Sequence, residues 1–244
     1  VADKLEGARL MTLLEMLDII EDKAGFERLL QTLDVPAYSI SNATCVGRIS
    51  RRSALAADDA RFLQSITSKP VKVALPGPYI LTRSMWVKEA SGAAYQSKEE
   101  LGADVVRVLR EEIAELLALG VEFIQFDEPV LTELVFTQGQ TRTFMCAALS
   151  ARKDPAAELE FGVELMRAVL AGFSGTRFGL HVCRGNWSRD ESTLLKGSYD
   201  ALAELRLAQA RGVMAHAETC PQYLLLDIER YDEPGFDGAK YVLT

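Results

Sequence analysis

A histidine and a cysteine stand one residue apart, His181 and Cys183, where an apolar run that begins at Thr176 ends. Alternate side chains of a β-strand leave the same face, so this imidazole and thiol project together while Val182 packs behind them. Both are ligand types for a borderline metal ion. The same pair also suits plain packing at a strand end, and spacing alone leaves both readings open. Pro76-Gly77-Pro78, Asp127-Glu128-Pro129 and Glu218-Thr219-Cys220 each follow a short apolar run in the same manner. The four cysteines, Cys45, Cys146, Cys183 and Cys220, are widely spaced with no CxxC pair. That pattern argues against a disulfide scaffold and leaves ligand or nucleophile as the special roles open to a thiol.

Elements that place these groups are legible as alternating strands and helices. Leu10, Leu13, Leu14, Leu17 and Ile20 recur at helical spacing, which predicts an opening helix within residues 3–31 and no strand before it. A short apolar run at Val46–Ile49, a helical segment near Leu55–Ile66 and a buried strand at Val71–Leu75 follow. Ser97 and Glu100 form a capping-box pattern ahead of Leu101, Val105, Leu109, Ile113 and Leu116, and Gly120 supplies the stop before the strand Val121–Asp127. Asp154 with Pro155 starts a helix carrying Leu159, Val163, Met166 and Leu170, which Gly172 ends before the strand Thr176–Cys183. A helix at Ser198–Ala210 and a strand at Val213–Glu218 complete the pattern.

This alternation predicts a parallel sheet with crossover helices, either a barrel or an open doubly wound sheet. The polar clusters fall at strand C-termini, where a (β/α) barrel assembles its site, so a barrel is the expectation. No Gly-rich phosphate loop follows any strand, which removes support for a nucleotide fold.

Nearly half of the chain is apolar, 48% of 244 residues, enough for one barrel-sized domain. A net charge of -8 without long like-charge blocks argues against a nucleic-acid partner. No stretch approaches eighteen consecutive apolar residues and no signal-peptide order opens the chain, so the expectation is a cytoplasmic protein with no membrane contact.

Residues 181–187 (HVCRGNW) resemble the strand end of the short bacterial and archaeal relatives of cobalamin-independent methionine synthase. Residues 125–129 (QFDEP) and 75–78 (LPGP) resemble two further motifs of that family, in the expected chain order. The resemblance covers residues 1–204 and implies an incomplete (β/α)8 TIM barrel of the methionine synthase and uroporphyrinogen decarboxylase-like type. It implies a zinc ion held by His, Cys, a Glu and a further Cys, and methyl transfer to the thiol of homocysteine. A free thiol is only a few per cent ionised at neutral pH, whereas a zinc-bound thiol is deprotonated.

On this resemblance His181 and Cys183 are zinc ligands, and Glu218, the acidic residue that ends the next strand, is the expected third; Cys220 is a weaker fourth. Asp127 would hold the amino group of the acceptor. Glu128 would touch substrate or form a salt bridge at the rim, and Trp86 would stack on a flat donor or be simply buried. Arg184 and Asn186 would orient the ligands or meet a substrate carboxylate. The methyl donor stays open between a methylfolate and a methyl-corrinoid.

The resemblance breaks in two places. The family's first strand, with its Gly-Ser turn, and its second, with an acidic end, have no counterpart here. Residues 205–244 resemble a dihydropyrimidinase or hydantoinase segment, on RLAQARG at 206–212, ETCPQYL at 218–224 and GFDGAKY at 235–241. Hydantoinase chemistry needs a histidine-rich two-metal centre, and His181 and His216 are the only histidines. A catalytically silent fragment or fusion product is therefore the alternative to the enzyme. Open barrel edges make a homo-oligomer the expected association.

Overall fold

Ser97 opens the longest helix among the described residues, accepting a hydrogen bond from the Glu100 N–H. The expected box is only half formed, because the Glu100 carboxylate accepts from Gln96 N–H instead. This and all other structural observations come from a computed structural model, which describes residues 1–24, 41–136 and 154–182, all within one compact unit spanning Val1–Gly197.

In chain order, a 3-10 turn at Ala2–Lys4 leads into strand β1 (Leu5–Thr12), helix α1 (Leu13–Ile19) and strand β2 (Ser41–Arg51). Helix α2 (Ala57–Ile66), strand β3 (Lys72–Pro76), helix α3 (Pro78–Met85) and the one-turn α4 (Lys88–Ser91) follow. Then come α5 (Lys98–Ala118), β4 (Phe123–Asp127), α6 (Leu131–Phe136), α7 (Pro155–Leu170) and β5 (Arg177–His181). Strands β3, β4 and β5 form a parallel sheet in that order, joined by crossover segments that contain helices, so the chain is an α/β protein. The predicted strands at residues 71–75, 121–127 and 176–183 are thus present, each trimmed by a residue or more at an end.

The opening helix expected over residues 3–31 is corrected by the structure. Residues 5–12 form β1, which pairs antiparallel with β2, and the helix begins only at Leu13. Nonlocal pairing overrides the local periodicity here: Leu13 and Met16 are buried, but Leu10 and Leu14 of the supposed apolar face are 59% and 60% exposed. Thr12 marks the change of state with a complete capping box, its Oγ1 accepting from the Glu15 N–H and the Glu15 carboxylate accepting from its own N–H. The apolar run at 46–49 belongs to an 11-residue strand. β1 and β2 make a two-stranded antiparallel sheet, separate from the parallel one.

One face of the parallel sheet is apolar and covered. Val73, Leu75, Ile124 and Phe126 share a buried cluster with Leu101, Val105, Val108, Leu109, Ile113 and Leu116 of α5. Each such side chain contributes about 1.5–3 kcal/mol when fully buried. The other face carries the alternate residues, including Gln125, Asp127 and His181. At its far end the Phe123 ring lies against Gly179, where a Cβ would meet the ring at 2.6 Å, and Lys72 and Arg177 flank it at 5.5 and 5.9 Å.

Helix α5 also carries a charge on its buried face. Glu112 is 0% exposed and accepts hydrogen bonds from the N–H groups of Leu55, Ala56 and Ala57 and from Arg51 Nε. The three amide donors lie at the start of α2, whose N-cap, Ala56, has no side-chain acceptor of its own. The helix predicted at 198–210, the strand at 213–218 and the tail from residue 205 lie outside the described residues.

Candidate functional site

The C-terminal ends of the three parallel strands stand in one row. Pro76 pairs with Asp127, and Asp127 with His181. In-register neighbours of a parallel sheet project to the same side, about 5 Å apart, so the Asp127 carboxylate and the His181 imidazole share a face. His181 is exposed, and its imidazole makes no hydrogen bond or ion pair with any described residue. Asp127 is half-buried, and its Oδ1 accepts from Gln125 Nε2 at 2.7 Å, which fixes the carboxylate from the same strand face.

Cys183, Arg184, Asn186, Glu218, Cys220 and His216 lie outside the described residues, so the structure brings together Asp127 and His181 from the expected set. Among the described residues there is no group of three or more potential metal ligands. Cys45 is buried on β2, its Sγ donates to Gly47 O at 3.0 Å, and burial pushes its thiol up to about 11, so it is no nucleophile.

Glu128 follows Asp127 on the opposite side and is not at a rim. It is 0% exposed, with Oε1 accepting from Tyr79 N–H at 2.7 Å and Oε2 from Ile80 N–H at 3.0 Å. Those donors belong to the first turn of α3, which starts with Pro78 at a position where a missing N–H costs nothing. The expected rim salt bridge is therefore corrected: the partners are backbone amides, because the side chain faces the helix layer rather than water. Burial pushes the Glu128 carboxyl up to about 8, against the pull of the two amide donors.

Gly77 completes this contact. Its φ of -72° suits any residue, but a Cβ there would lie 2.2 Å from the Glu128 carboxyl carbon. Gly77 N–H donates to Asp127 O at 2.8 Å, and Glu128 N–H donates to His181 O at 2.9 Å. The two motifs at 75–78 and 125–129 are thus one unit, and the sequence signal for it was a glycine-proline step after one strand and an acidic pair ending the next. Below this unit the Tyr79 hydroxyl donates to Glu158, which is also held by Lys98 Nζ at 2.5 and 2.6 Å.

Trp86 is not part of the row. It is the C-cap of α3, partly buried against the main hydrophobic cluster, about 12 Å along the helix axis from the Gly-Pro turn. Among the described residues no helix is long and apolar enough to cross a membrane.

Comparison with known proteins places these features in a family. A 5-methyltetrahydropteroyltriglutamate–homocysteine methyltransferase from Klebsiella pneumoniae is 32% identical over 139 residues, which is 57% of this chain and 16% of that protein. A 2-hydroxypropyl-CoM lyase from Xanthobacter autotrophicus is 29% identical over 166 residues, 68% of this chain and 37% of its own length. A solved B12-independent methionine synthase from a Shewanella species, in complex with selenomethionine, aligns with a TM-score of 0.48 and 25% identity over 75% of this chain and 41% of that one. The chain spans less than half the length of each of these relatives. The profile described as "Cobalamin-independent synthase, Catalytic domain" matches residues 24–209 and takes in all three strand ends, so the chain belongs to the cobalamin-independent synthase family.

Proposed function

We propose that this chain contributes the acceptor site of a zinc-dependent methyltransferase that moves a methyl group to a thiol such as homocysteine. The observation that carries the reading is the row of strand ends, with the Asp127 carboxylate and an uncommitted His181 imidazole side by side on one sheet face. The sheet β3–β4–β5 is read as a stretch of a (β/α)8 barrel, whose site lies at this end of the strands.

His181 suits a zinc ligand, being exposed, on the strand end and unpaired among the described residues. Cys183, two residues on, supplies the thiolate, and Glu218 is the third ligand in this reading. Zinc, when bound, lowers the pKa of a thiol so that the nucleophile is available at neutral pH. Asp127 pairs with the acceptor's ammonium group through the oxygen that Gln125 leaves free. Arg184 and Asn186 are assigned to the acceptor's carboxylate. The name of the Klebsiella relative favours a methylated pteroylglutamate over a corrinoid as donor, whereas the lyase relative keeps the identity of the thiol open. Trp86, partly buried against the main cluster at the far end of α3, is given no donor-stacking role in this reading. The boundary near residue 205 belongs to the same reading, and the family match ending at residue 209 supports it.

The test is zinc content and thiol chemistry together. One zinc per chain is expected in the wild-type protein, with loss in Cys183→Ser and in His181→Ala. Homocysteine should release about one proton per chain on binding, with zinc bound only. Metal-free protein from a zinc-replete preparation, or zinc retained equally in both variants, would leave a silent fragment as the better description.

A further inference from the structure

We infer that Glu128 is a positioning residue that fixes the Gly-Pro turn and the His181 strand end as one rigid unit, rather than a residue that touches substrate. The inference rests on the proposed site for its functional meaning, but its geometry does not.

Four contacts converge on this residue. Its carboxylate oxygens are each taken by one backbone amide, Tyr79 N–H and Ile80 N–H, at 2.7 and 3.0 Å. Its own N–H donates to His181 O, which ties β4 to the last residue of β5. Its side chain occupies the space that a Cβ on residue 77 would need, with Cγ, Cδ and Oε1 all 2.2 Å from that position. With 0% exposure, the carboxylate presents no oxygen to a ligand outside. The turn it holds is also anchored from below, where the Tyr79 hydroxyl donates to Glu158 at 2.9 Å. One residue therefore connects the β3–α3 turn, the end of β4 and the end of β5, which are the three places where the row of site groups stands.

Two predictions separate this role from a contact with substrate and from generic stability. Amide exchange in the zinc-loaded full chain reads the turn directly. Glu128→Gln keeps size but can accept with one oxygen only, so exchange of the Tyr79 or Ile80 amide should rise about tenfold. Gly77→Ala should raise exchange in the wild-type background and add nothing in a Glu128→Ala background, since the clash and the hydrogen bonds are then already gone. Homocysteine affinity should fall about tenfold in Glu128→Gln while zinc affinity stays within threefold, a split that general destabilisation would not produce. Unchanged exchange at residues 79 and 80 in Glu128→Gln would overturn the inference, as would independent, multiplying effects of the Gly77 and Glu128 substitutions. If Glu128→Ala fails to fold, the isosteric Glu128→Gln arm still decides it. Wild-type protein that binds no homocysteine would sink the methyl-transfer reading alone, and the exchange arms would still decide the positioning role.

Discussion

Replacing Lys98 by methionine should destabilise the protein by about 3–4 kcal/mol at neutral pH, and the loss should shrink as the pH falls. Lys98 Nζ lies 2.5 and 2.6 Å from the two Glu158 oxygens, and both side chains are only 7% exposed. Methionine keeps the aliphatic stem beside the Phe161 ring, over which the ammonium now sits at 5.1 Å, so the change removes mainly charge and hydrogen bonds. Attraction between charges at this separation is roughly 6–7 kcal/mol at an effective dielectric near 20, and the desolvation of both groups takes back a large part of it. An orphaned buried carboxylate escapes by taking a proton, which costs about 1.4 kcal/mol for each pH unit above the ordinary glutamate range, or roughly 3–4 kcal/mol at pH 7. Protonation is the cheaper escape, so it sets the ceiling. In the variant the folded state holds this proton and the unfolded state releases it, so relative stability improves as pH is lowered, leaving a deficit of about 1 kcal/mol near pH 5. Urea unfolding followed by circular dichroism at pH 7 and pH 5 measures both numbers. Lys98→Met/Glu158→Gln should recover most of the loss, because the amide still accepts from the Tyr79 hydroxyl. A single-variant cost under about 1 kcal/mol, or one that ignores pH, would show that the pair behaves like a surface ion pair.

Three further outcomes are expected. Glu112→Gln should cost roughly 2–4 kcal/mol in the same unfolding assay, because an amide NH2 would face one of the donors now satisfied by the carboxylate. Wild-type stability should fall as the pH rises from the ordinary carboxylate value of 4.5 towards about 8, since folded Glu128 binds a proton there that the unfolded chain has released. The difference in urea midpoint between pH 5 and pH 8 should be smaller in Glu128→Gln, and an equal difference would refute the assignment. Gly7→Ala should lower stability by more than about 1 kcal/mol, because Gly7 has a φ of 78° and a Cβ there would lie 2.3 Å from Arg48 O in the irregular stretch of β1.

The parts of the fold that were legible in the sequence are those determined locally. Asp154 and Pro155 mark the start of α7 because the side chain accepts from Ala157 N–H and the ring needs no donor, and Gly120 and Gly172 stop helices by adopting positive φ. β3 and β4 read as short apolar runs because α5 covers one face of both. β1 was not legible, since its partner begins some thirty residues on and Leu10 falls at helical spacing with Leu13, Leu14 and Leu17. Glu112 and Glu128 were missed as caps for a related reason: Ala56 and Gly77 offer no side-chain acceptor, and the carboxylates that serve their helices arrive from distant elements. A signal did exist for Glu112, which falls on the same helical face as Val105 and Val108, where a charge needs a buried partner.

Full use of the α3 donors bears on what the site can recognise. Pro78 has no N–H, Tyr79 and Ile80 donate to Glu128, Leu81 donates to Gly77 O, and Gly77 donates to Asp127 O. A helix N-terminus is ordinarily a ready anion site, but here the internal Glu128 carboxyl group has already taken that place. A phosphate or a substrate carboxylate therefore gains nothing from this turn, and anion recognition at the row of strand ends has to come from other groups. That is the role the proposed site gives to Arg184 and Asn186. The Asp127 carboxylate, by contrast, stands on the open face with one oxygen uncommitted among the described residues, which suits a cationic group. In the proposed site the row would therefore meet a zwitterionic acceptor by its ammonium end, with the Gly-Pro turn shaping the wall beside it rather than binding charge.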